Sequence, residues 1–350
     1  MSCRYFTSLA RLAIVVMCVS LLTVPVVGQS APGAESWTAP RTVEGHPDLQ
    51  GVWANNNVTP LERPPQWAGK ERLTDEELAE LKAAAAAVIA SGLDAQFGDQ
   101  LVLKALEGLT DADSYDTTGN YNQFWMADRD FTHQTSLVVD PPDGQLPALT
   151  AAAERVTAER RRYRSAHPAD GPEDRGLGER CANFGVPRLG AGYNSYFQIF
   201  QSSRHVAVFK EMAHDAKLIP LDGSPHAPDV VRQWNGDSRG RWEGDTLVVE
   251  TTNFSDQIVF NSFNCCPGAG ANLRLEERFT RVDADTIDHR YTVEDPFTYA
   301  GPWTAAIPMT RLDGPIYEYA CHEGNYGMEN LLRGARVQEG TVVAPPAGSR

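Results

Sequence analysis

The amino-acid sequence predicts a mainly β protein, in which an antiparallel sheet closes into a barrel with helices packed outside it. From about residue 193 onward, short segments rich in β-branched and aromatic residues alternate with turn residues, as in a β-meander. No β-α-β alternation and no phosphate-binding loop appears, which argues against a parallel sheet. A long meander must hide its edge strands, and closure into a barrel does so most simply.

The N-terminal residues have the pattern of a secretory signal peptide. Arg4 and Arg11 precede an apolar run from Leu12 to Leu22, which is too short for a comfortable membrane span. Cleavage is expected near Gly28 to Ser30, in a protein that is periplasmic or secreted. The predicted organisation is a signal peptide over 1–28, a linker over 29–45 and a single domain over 46–350.

The charge balance excludes two classes of partner. Loss of residues 1–28 removes two arginines and no acid, so the net charge moves from −15 to −17. Nucleic acids and anionic membrane surfaces both need a basic footprint, which this chain lacks. The expected partner is a small molecule, and the oligomeric state stays open.

Two helices are predicted within an elaboration over about residues 70–170. In the first, Thr74 is the N-cap, Glu77 completes a capping box and Gly92 is the expected stop. The second runs from Thr150, as its cap, toward Pro168 beyond its end. Both are expected to pack outside the sheet.

The strands are predicted from alternation and turn chemistry. Glu243-Gly244-Asp245 separates two extended runs and indicates a hairpin. In the next hairpin, Asp283-Ala284-Asp285 forms a three-residue loop that places Tyr291 opposite Glu277 and His289 diagonal to it. Further strands are expected in 51–53, 135–139, 196–212, 303–311 and 315–321.

Five segments carry a resemblance to a known family. They are PDLQGVW (47–53), TSLVVDPPDG (135–144), GDSRGRWEGDTLVVETTNF (236–254), ERFTRVDADT (277–286) and YACHEGNY (319–326). Nearly the whole mature chain resembles a family of exported bacterial proteins of unassigned function. In addition, Gly51-Val52-Trp53 resembles the Gly-x-Trp of the first strand in lipocalin-type (calycin) barrels. The resemblance implies a lipocalin-like barrel and an exported protein, and it implies no particular reaction.

Four cysteines remain after the predicted cleavage, namely Cys181, Cys265, Cys266 and Cys321. An even number in an exported protein favours disulfides, and four cysteines allow three pairings. A thiolate metal site is the alternative, but no C-x-x-C spacing supports it. The prediction is therefore disulfides without a metal or other cofactor.

Three residues are candidates for acid–base catalysis. Glu211 follows a strand and could turn inward beneath His214 at the strand end, where a carboxylate and an imidazole can shift each other's pKa. The alternative is that His214 merely organises a turn. His322 follows Cys321 and is the chemical candidate in a loop that the cysteine ties down.

The ligand-binding candidates form two groups. Glu277, His289 and Tyr291 share the apolar face of their hairpin, where polar groups are costly unless paired. They form either a satisfied core network or an interior ligand site. A second group of Tyr and Asn could line a polar mouth or simply form turns; it comprises Tyr193, Asn194, Asn325 and Tyr326.

Three functions fit these patterns. The first is an exported, cofactor-independent enzyme of lyase, hydratase, isomerase or hydrolase type, acting on a small ligand in a barrel cavity. The second is a periplasmic binding or carrier protein without catalysis, and the third is a structural protein of the envelope. Fold alone does not choose among them, because lipocalin-type barrels serve as both carriers and enzymes.

Overall fold

One antiparallel sheet dominates the computed structural model, which describes residues 37–91, 95–108, 126, 128–185, 193–256 and 270–341. The predicted signal peptide, Cys265 and Cys266 lie outside the described residues. Residues 39–350 form one unit in the pattern of contacts. The prediction of a mainly β, antiparallel fold is confirmed.

The sheet has ten strands within the described ranges. They are β1 (Gly51–Ala54), β2 (Val138–Asp140), β3 (Tyr196–Gln201), β4 (His205–Lys210), β5 (Asp215–Pro220), β6 (Asp237–Glu243), β7 (Thr246–Thr252), β8 (Arg274–Arg281), β9 (Thr286–Glu294) and β10 (Trp303–Leu312). Their order is β5-β4-β3-β1-β10-β9-β8-β7-β6, and β2 pairs with β10 beside this path.

The two edge strands, β5 and β6, lie side by side without being paired. A Cβ built on Gly240 of β6 would lie 2.6 Å from Cγ2 of Ile219 in β5 and 2.8 Å from Cδ2 of Leu221. The strand pairing of the described residues nevertheless ends at β5 and at β6, so the sheet is not closed into a barrel. We call this line of contact between β5 and β6 the seam.

The concave face of the sheet carries two apolar clusters. One gathers residues from eight strands, including Trp53, Ile199, Ile219, Leu247 and Phe279. The other lies toward the opposite end and includes Leu275, Tyr291, Val293, Trp303 and Ile307. Because alternate residues of each strand point inward, distant parts of the chain meet in one core.

Four α-helices occur in the described part of the chain. They are α1 (Asp75–Ala90), α2 (Gln100–Glu107), α3 (Ala151–Ala166) and α4 (Tyr326–Gln338). The predicted capping box is present, because Thr74 Oγ1 accepts from Glu77 N at 3.2 Å and Glu77 Oε2 accepts from Thr74 N at 2.9 Å. Thr150 caps α3 through the N–H of Ala153, as predicted. None of the described helices is both long and apolar enough to cross a membrane.

The segment after β10 differs from the prediction. Residues 315–321 form no strand, and the prediction that the meander continues through them is wrong. The backbone N–H of Tyr317 donates to the Glu211 carboxylate at 3.0 Å instead of to a neighbouring strand. Helix α4 follows, with Asn325 as its N-cap, and the sequence analysis did not predict it.

The register of the β8–β9 hairpin is as predicted. Glu277 lies opposite Tyr291, and Phe279 lies opposite His289. The N–H of Val282 donates to the carbonyl of Thr286 at 3.0 Å, which leaves the predicted three-residue loop between them. Glu277, His289 and Tyr291 therefore point into the interior together.

Candidate functional site

A buried ion pair crosses the interior of the sheet. Lys217 in β5 donates to Oε2 of Glu277 in β8, and the two side chains are only 10% and 8% exposed. Lys217 points inward because it shares a face of β5 with Ile219, which is fully buried. No ladder of the described residues joins β5 to β8, so the contact spans the core.

His289 lies against the same carboxylate. Its Nε2 is 3.3 Å from Oε1 of Glu277, without the alignment of a hydrogen bond. The imidazole stacks on the Phe279 ring with centroids 4.3 Å apart and an angle of 8° between the planes. The position of the ring is therefore fixed by stacking, while its Nε2 lies near the carboxylate without an aligned hydrogen bond.

Burial and charge act in opposite directions on the titration of this site. Burial opposes ionisation of Glu277, but the Lys217 ammonium and the His289 ring outweigh it and lower the pKa of Glu277 to about 2. Burial raises the pKa of Tyr291 well above its ordinary value, and the neighbouring Tyr299 and Glu277 add to the effect. Glu277 is thus a carboxylate and Tyr291 a neutral phenol at neutral pH.

Three buried polar atoms of this region have no hydrogen-bond partner in the described part of the chain. They are Nε2 of His289, Oη of Tyr291 and Nε1 of Trp303. The three rings are neighbours, since His289 and Tyr291 have centroids 5.9 Å apart and Tyr291 and Trp303 5.8 Å apart. An unsatisfied buried polar group costs about 1–3 kcal/mol, and such groups in native proteins call for an explanation. We call Lys217, Glu277, His289, Tyr291 and Trp303 the interior polar cluster.

A second set of polar contacts extends from the cluster toward the end of β4. Lys210 Nζ donates to Oδ1 of Asn235 at 3.0 Å, and Nδ2 of Asn235 donates to Asp215. Asn183 donates to the same oxygen of Asn235 at 3.2 Å. Asp215 shares a face of β5 with Lys217, so polar side chains line this side of the interior as far as the strand end.

No protein-family model matches the chain, and no curated protein or solved structure does so either. The geometry of the chain itself therefore carries the functional argument.

Glu211 has a different environment from the one the sequence predicts. It lies just beyond β4, whose core-facing side chains are Val206 and Val208, and it is not part of the sheet interior. Its Oε1 accepts from Nδ2 of Asn194 at 2.6 Å and its Oε2 from the N–H of Tyr317 at 3.0 Å. Glu211 is buried by these two segments and anchors them to the end of the strand.

The two histidine candidates are not brought to Glu211. His214 is exposed, has a φ of 53° and packs edge-on against Phe209 with centroids 4.9 Å apart. His322 is exposed in the turn before α4. Within the described residues, no side-chain hydrogen bond or ion pair of Glu211 goes to either histidine.

The residues of the predicted mouth have mainly local contacts. Tyr193 packs edge-on against Phe97 with centroids 5.9 Å apart, and Asn194 holds Glu211. Asn325 caps α4 and its Nδ2 donates to the carbonyl of Glu179 at 2.9 Å. Tyr326 is 71% exposed at the first position of α4.

A disulfide joins Cys181 to Cys321, with the Cα atoms 5.8 Å apart. This confirms that these two candidates are disulfide-bonded and settles their pairing, which the sequence left open. Among the described residues, no group of three or more His, Cys, Asp and Glu side chains is arranged to hold a metal ion.

Sequence analysis missed Lys217 and Trp303. Each lies two positions from a buried residue of its own strand and so on the same face, Lys217 with Ile219 and Trp303 with Ala305. A lysine in phase with an isoleucine on an edge strand is the signal that could have identified an inward-pointing charge. The partner of that charge could not be inferred, because β5 and β8 are not adjacent in the sheet.

Proposed function

We propose that this protein binds a small molecule inside its coiled sheet and that the interior polar cluster recognises it. One observation carries the proposal, namely three buried polar atoms on neighbouring rings, without hydrogen-bond partners in the described part of the chain, beside a buried ion pair. A purely structural core would gain stability by replacing these polar atoms with apolar ones. Their cost is understandable if a ligand satisfies them.

The donors and acceptors of the cluster indicate the chemistry of the ligand. The indole N–H of Trp303 only donates, the Tyr291 hydroxyl can do both, and the Lys217 ammonium has N–H groups beyond the one that Glu277 accepts. The charges of Lys217 and Glu277 balance each other. A neutral, oxygen-rich ligand with a flat or apolar body is therefore preferred, because its body would lie against Phe279, Tyr291 and Trp303.

The seam supplies a route to the interior. Backbone pairing holds neighbouring strands of the sheet together. At the seam, in contrast, the side chains of Ile219 in β5 and of Leu221 just after it lie against the backbone of Gly240 in β6. Separation of the two edges breaks no strand pairing of the described sheet. Lys217 lies on the edge strand itself, so an opening at the seam would lead directly to the cluster.

The proposal includes an exported location and a lipocalin-like relationship. The Cys181–Cys321 disulfide supports an oxidising compartment, the periplasm or the cell exterior. The coiling of the sheet, which brings its edges into contact, supports a lipocalin-like barrel with a seam in place of the last ladder. The resemblance to exported bacterial proteins of unassigned function belongs to the same proposal.

An acid–base enzyme is the second candidate, and the contact between His289 and Glu277 favours it. Glu277 stays ionised 3.3 Å from the His289 ring, and a carboxylate beside an imidazole is an arrangement used in proton transfer. His289 is then the proton-transfer group, and Glu277 the group that positions it. Glu211, His214 and His322 remain as catalytic candidates, although the structure does not bring them into one cluster.

The first test is native mass spectrometry of the mature protein from its own export compartment, followed by denaturation of the same sample. A mass excess that disappears on denaturation identifies a bound ligand and its mass. Tyr291→Phe removes only an unpartnered hydroxyl, so it should fold as well as the wild type and retain less ligand. Ligand retention by Tyr291→Phe and Trp303→Phe equal to that of the wild type would contradict the proposal. Tyr317→Phe, at a tyrosine that is 70% exposed, is the matched control on the surface.

A turnover assay on the identified ligand separates the two candidates. Loss of product formation in His289→Gln, with ligand still bound, would favour the enzyme. A ligand that returns unchanged after long incubation with wild-type protein would favour the carrier. Activity that depends on His214 or His322 but not on His289 would move catalysis away from the interior polar cluster.

A further inference from the structure

A second recess lies on the opposite face of the sheet. It has a volume of about 480 Å³ and is bounded by β2, β9, β10 and the loop residues around Arg63 and Arg72. Asp288 and Arg290 line it, and they alternate along β9 with the inward-pointing His289 and Tyr291. It is therefore separate from the interior polar cluster. We call it the arginine pocket, after Arg63, Arg72 and Arg290.

Arg63 is a buried cation with neutral partners. It is 7% exposed, its Nε donates to Oγ1 of Thr135 at 3.1 Å, and its Nη1 donates to the carbonyls of Pro142 and Asp143 at 3.1 and 2.8 Å. No carboxylate of the described residues is within ion-pair distance of it. Buried charges are normally paired, so this wall of the pocket favours an anion.

The other charges leave the pocket positive. Arg290 is neutralised by Asp288, whose Oδ2 is 2.8 Å from the Arg290 Nε. Arg72 is exposed and forms no ion pair within the described residues, and Glu71 is the remaining acid of the lining. Three guanidinium groups thus face two carboxylates in a chain whose net charge is −15. The lining of the pocket therefore has a net charge of one positive unit.

The pocket also has an apolar part, which we call its floor. It includes the exposed side chains of Val139 and Val282 and the ring of Pro308. The volume is in the range of sites that hold small molecules, roughly 300–1,000 Å³. A fully hydrated inorganic anion gains nothing from such a floor, whereas the hydrocarbon part of an organic acid does.

From the charge, the volume and the apolar floor, we propose that the arginine pocket binds a small organic monocarboxylate. The carboxylate pairs with the guanidinium of Arg72, whose planar fork suits two parallel hydrogen bonds, and lies in the field of Arg63. The organic body covers Val139, Val282 and Pro308. This site is independent of the proposed interior ligand, which is neutral and enters at the seam.

The test is isothermal titration calorimetry of the full mature protein with sodium benzoate. One benzoate per chain is expected, and benzamide, which has the same shape without the charge, should not bind. Arg72→Gln should weaken benzoate binding by about tenfold, the effect of losing a charge-assisted hydrogen bond. Arg204→Gln removes an exposed arginine outside the pocket and should leave binding unchanged.

Several results would overturn the assignment. Equal loss in Arg72→Gln and Arg204→Gln would show a general charge effect, and equal binding of benzamide would show that charge is irrelevant. If inorganic phosphate bound as tightly as benzoate, the assignment of an organic acid as the ligand would be wrong. Loss of benzoate binding in Tyr291→Phe but not in Arg72→Gln would place benzoate in the interior, so the test is distinct from that of the proposed function.

Discussion

Lys217 and Glu277 form an ion pair across the core, although five strands lie between their own strands in the order of the sheet. Lys217 is on the edge strand β5, and Glu277 is on β8, third from the opposite edge. The pair therefore links the two arms of the coiled sheet where no backbone ladder does so. We therefore expect its strength to affect how firmly β5 is held at the seam.

Removing only one charge of this pair should strongly destabilise the folded protein. We expect Glu277→Gln to lower the free energy of unfolding by about 3–5 kcal/mol, because it leaves the Lys217 ammonium buried without a counter-charge. The double variant Lys217→Met/Glu277→Met should recover most of the loss, since both desolvated charges are then absent. Urea denaturation followed by tryptophan fluorescence measures both values.

The matched control is the exposed pair of Arg241 and Glu243, whose side chains are 51% and 41% exposed. Arg241→Gln should change the free energy of unfolding by less than about 1 kcal/mol. Equal effects of Glu277→Gln and Arg241→Gln would show that the interior pair is solvated in solution.

The low pKa of Glu277 makes the free energy of unfolding depend on pH in the acidic range. Folding lowers this pKa from 4.5 to about 2, so the unfolded chain binds more protons between these values. The stabilisation is complete above pH 4.5 and is lost as the pH falls toward 2, by about 3 kcal/mol in total. The difference in unfolding free energy between the wild type and Glu277→Gln should shrink over this range. A difference that is constant with pH would contradict the assignment.

The Cys181–Cys321 disulfide should hold α4 against the rest of the chain. The bridge spans 140 residues, and its removal in Cys181→Ser/Cys321→Ser should cost roughly 2–5 kcal/mol. Limited proteolysis should then cut first within residues 313–341. Peptide mapping of the non-reduced protein should recover a peptide that contains both cysteines, and its absence would refute the pairing.

Gly240 should be sensitive to a single methyl group. In Gly240→Ala the new Cβ would lie within 3 Å of side-chain atoms of Ile219 and Leu221, and the seam would have to widen. We expect a loss of about 1–3 kcal/mol and faster amide exchange in β5. Gly301→Ala is the control, because no atom lies within 4 Å of the added Cβ. Unchanged exchange in β5 would show that the edges are not in firm contact.

Local signals in the sequence predicted much of the fold. The Thr74 capping box, the turn at Gly244 and the register of Glu277 and Tyr291 depend on residues close in sequence, and all three occur as predicted. The segment 315–321 alternates like a strand but is held by Glu211 and the disulfide at Cys321. These contacts come from residues more than 100 positions away, so they cannot be predicted from the alternation of apolar and polar residues within the segment.

The candidate site was predicted only where one hairpin supplies it. Glu277, His289 and Tyr291 share the β8–β9 face, so the period of two was enough to group them. Lys217 joins them only because the sheet coils. Trp303 is an aromatic residue in an apolar strand, and the sequence pattern does not distinguish it from an ordinary core residue. Neither the coiling nor the missing partners of the polar atoms can be inferred from one strand at a time.

The position of β1 sets the order in which the chain can complete its sheet. Residues 51–54 lie between β3 and β10, paired with residues 196–199 on one side and 310–312 on the other. The first strand of the described sheet to be synthesised thus waits for the last one before it is paired on both sides. A chain interrupted before residue 303 exposes the edges of both β1 and β9, and unpaired edges promote aggregation. A C-terminal truncation that removes β10 is therefore a hazard to solubility even while four of the five residues of the interior polar cluster, all except Trp303, are still present.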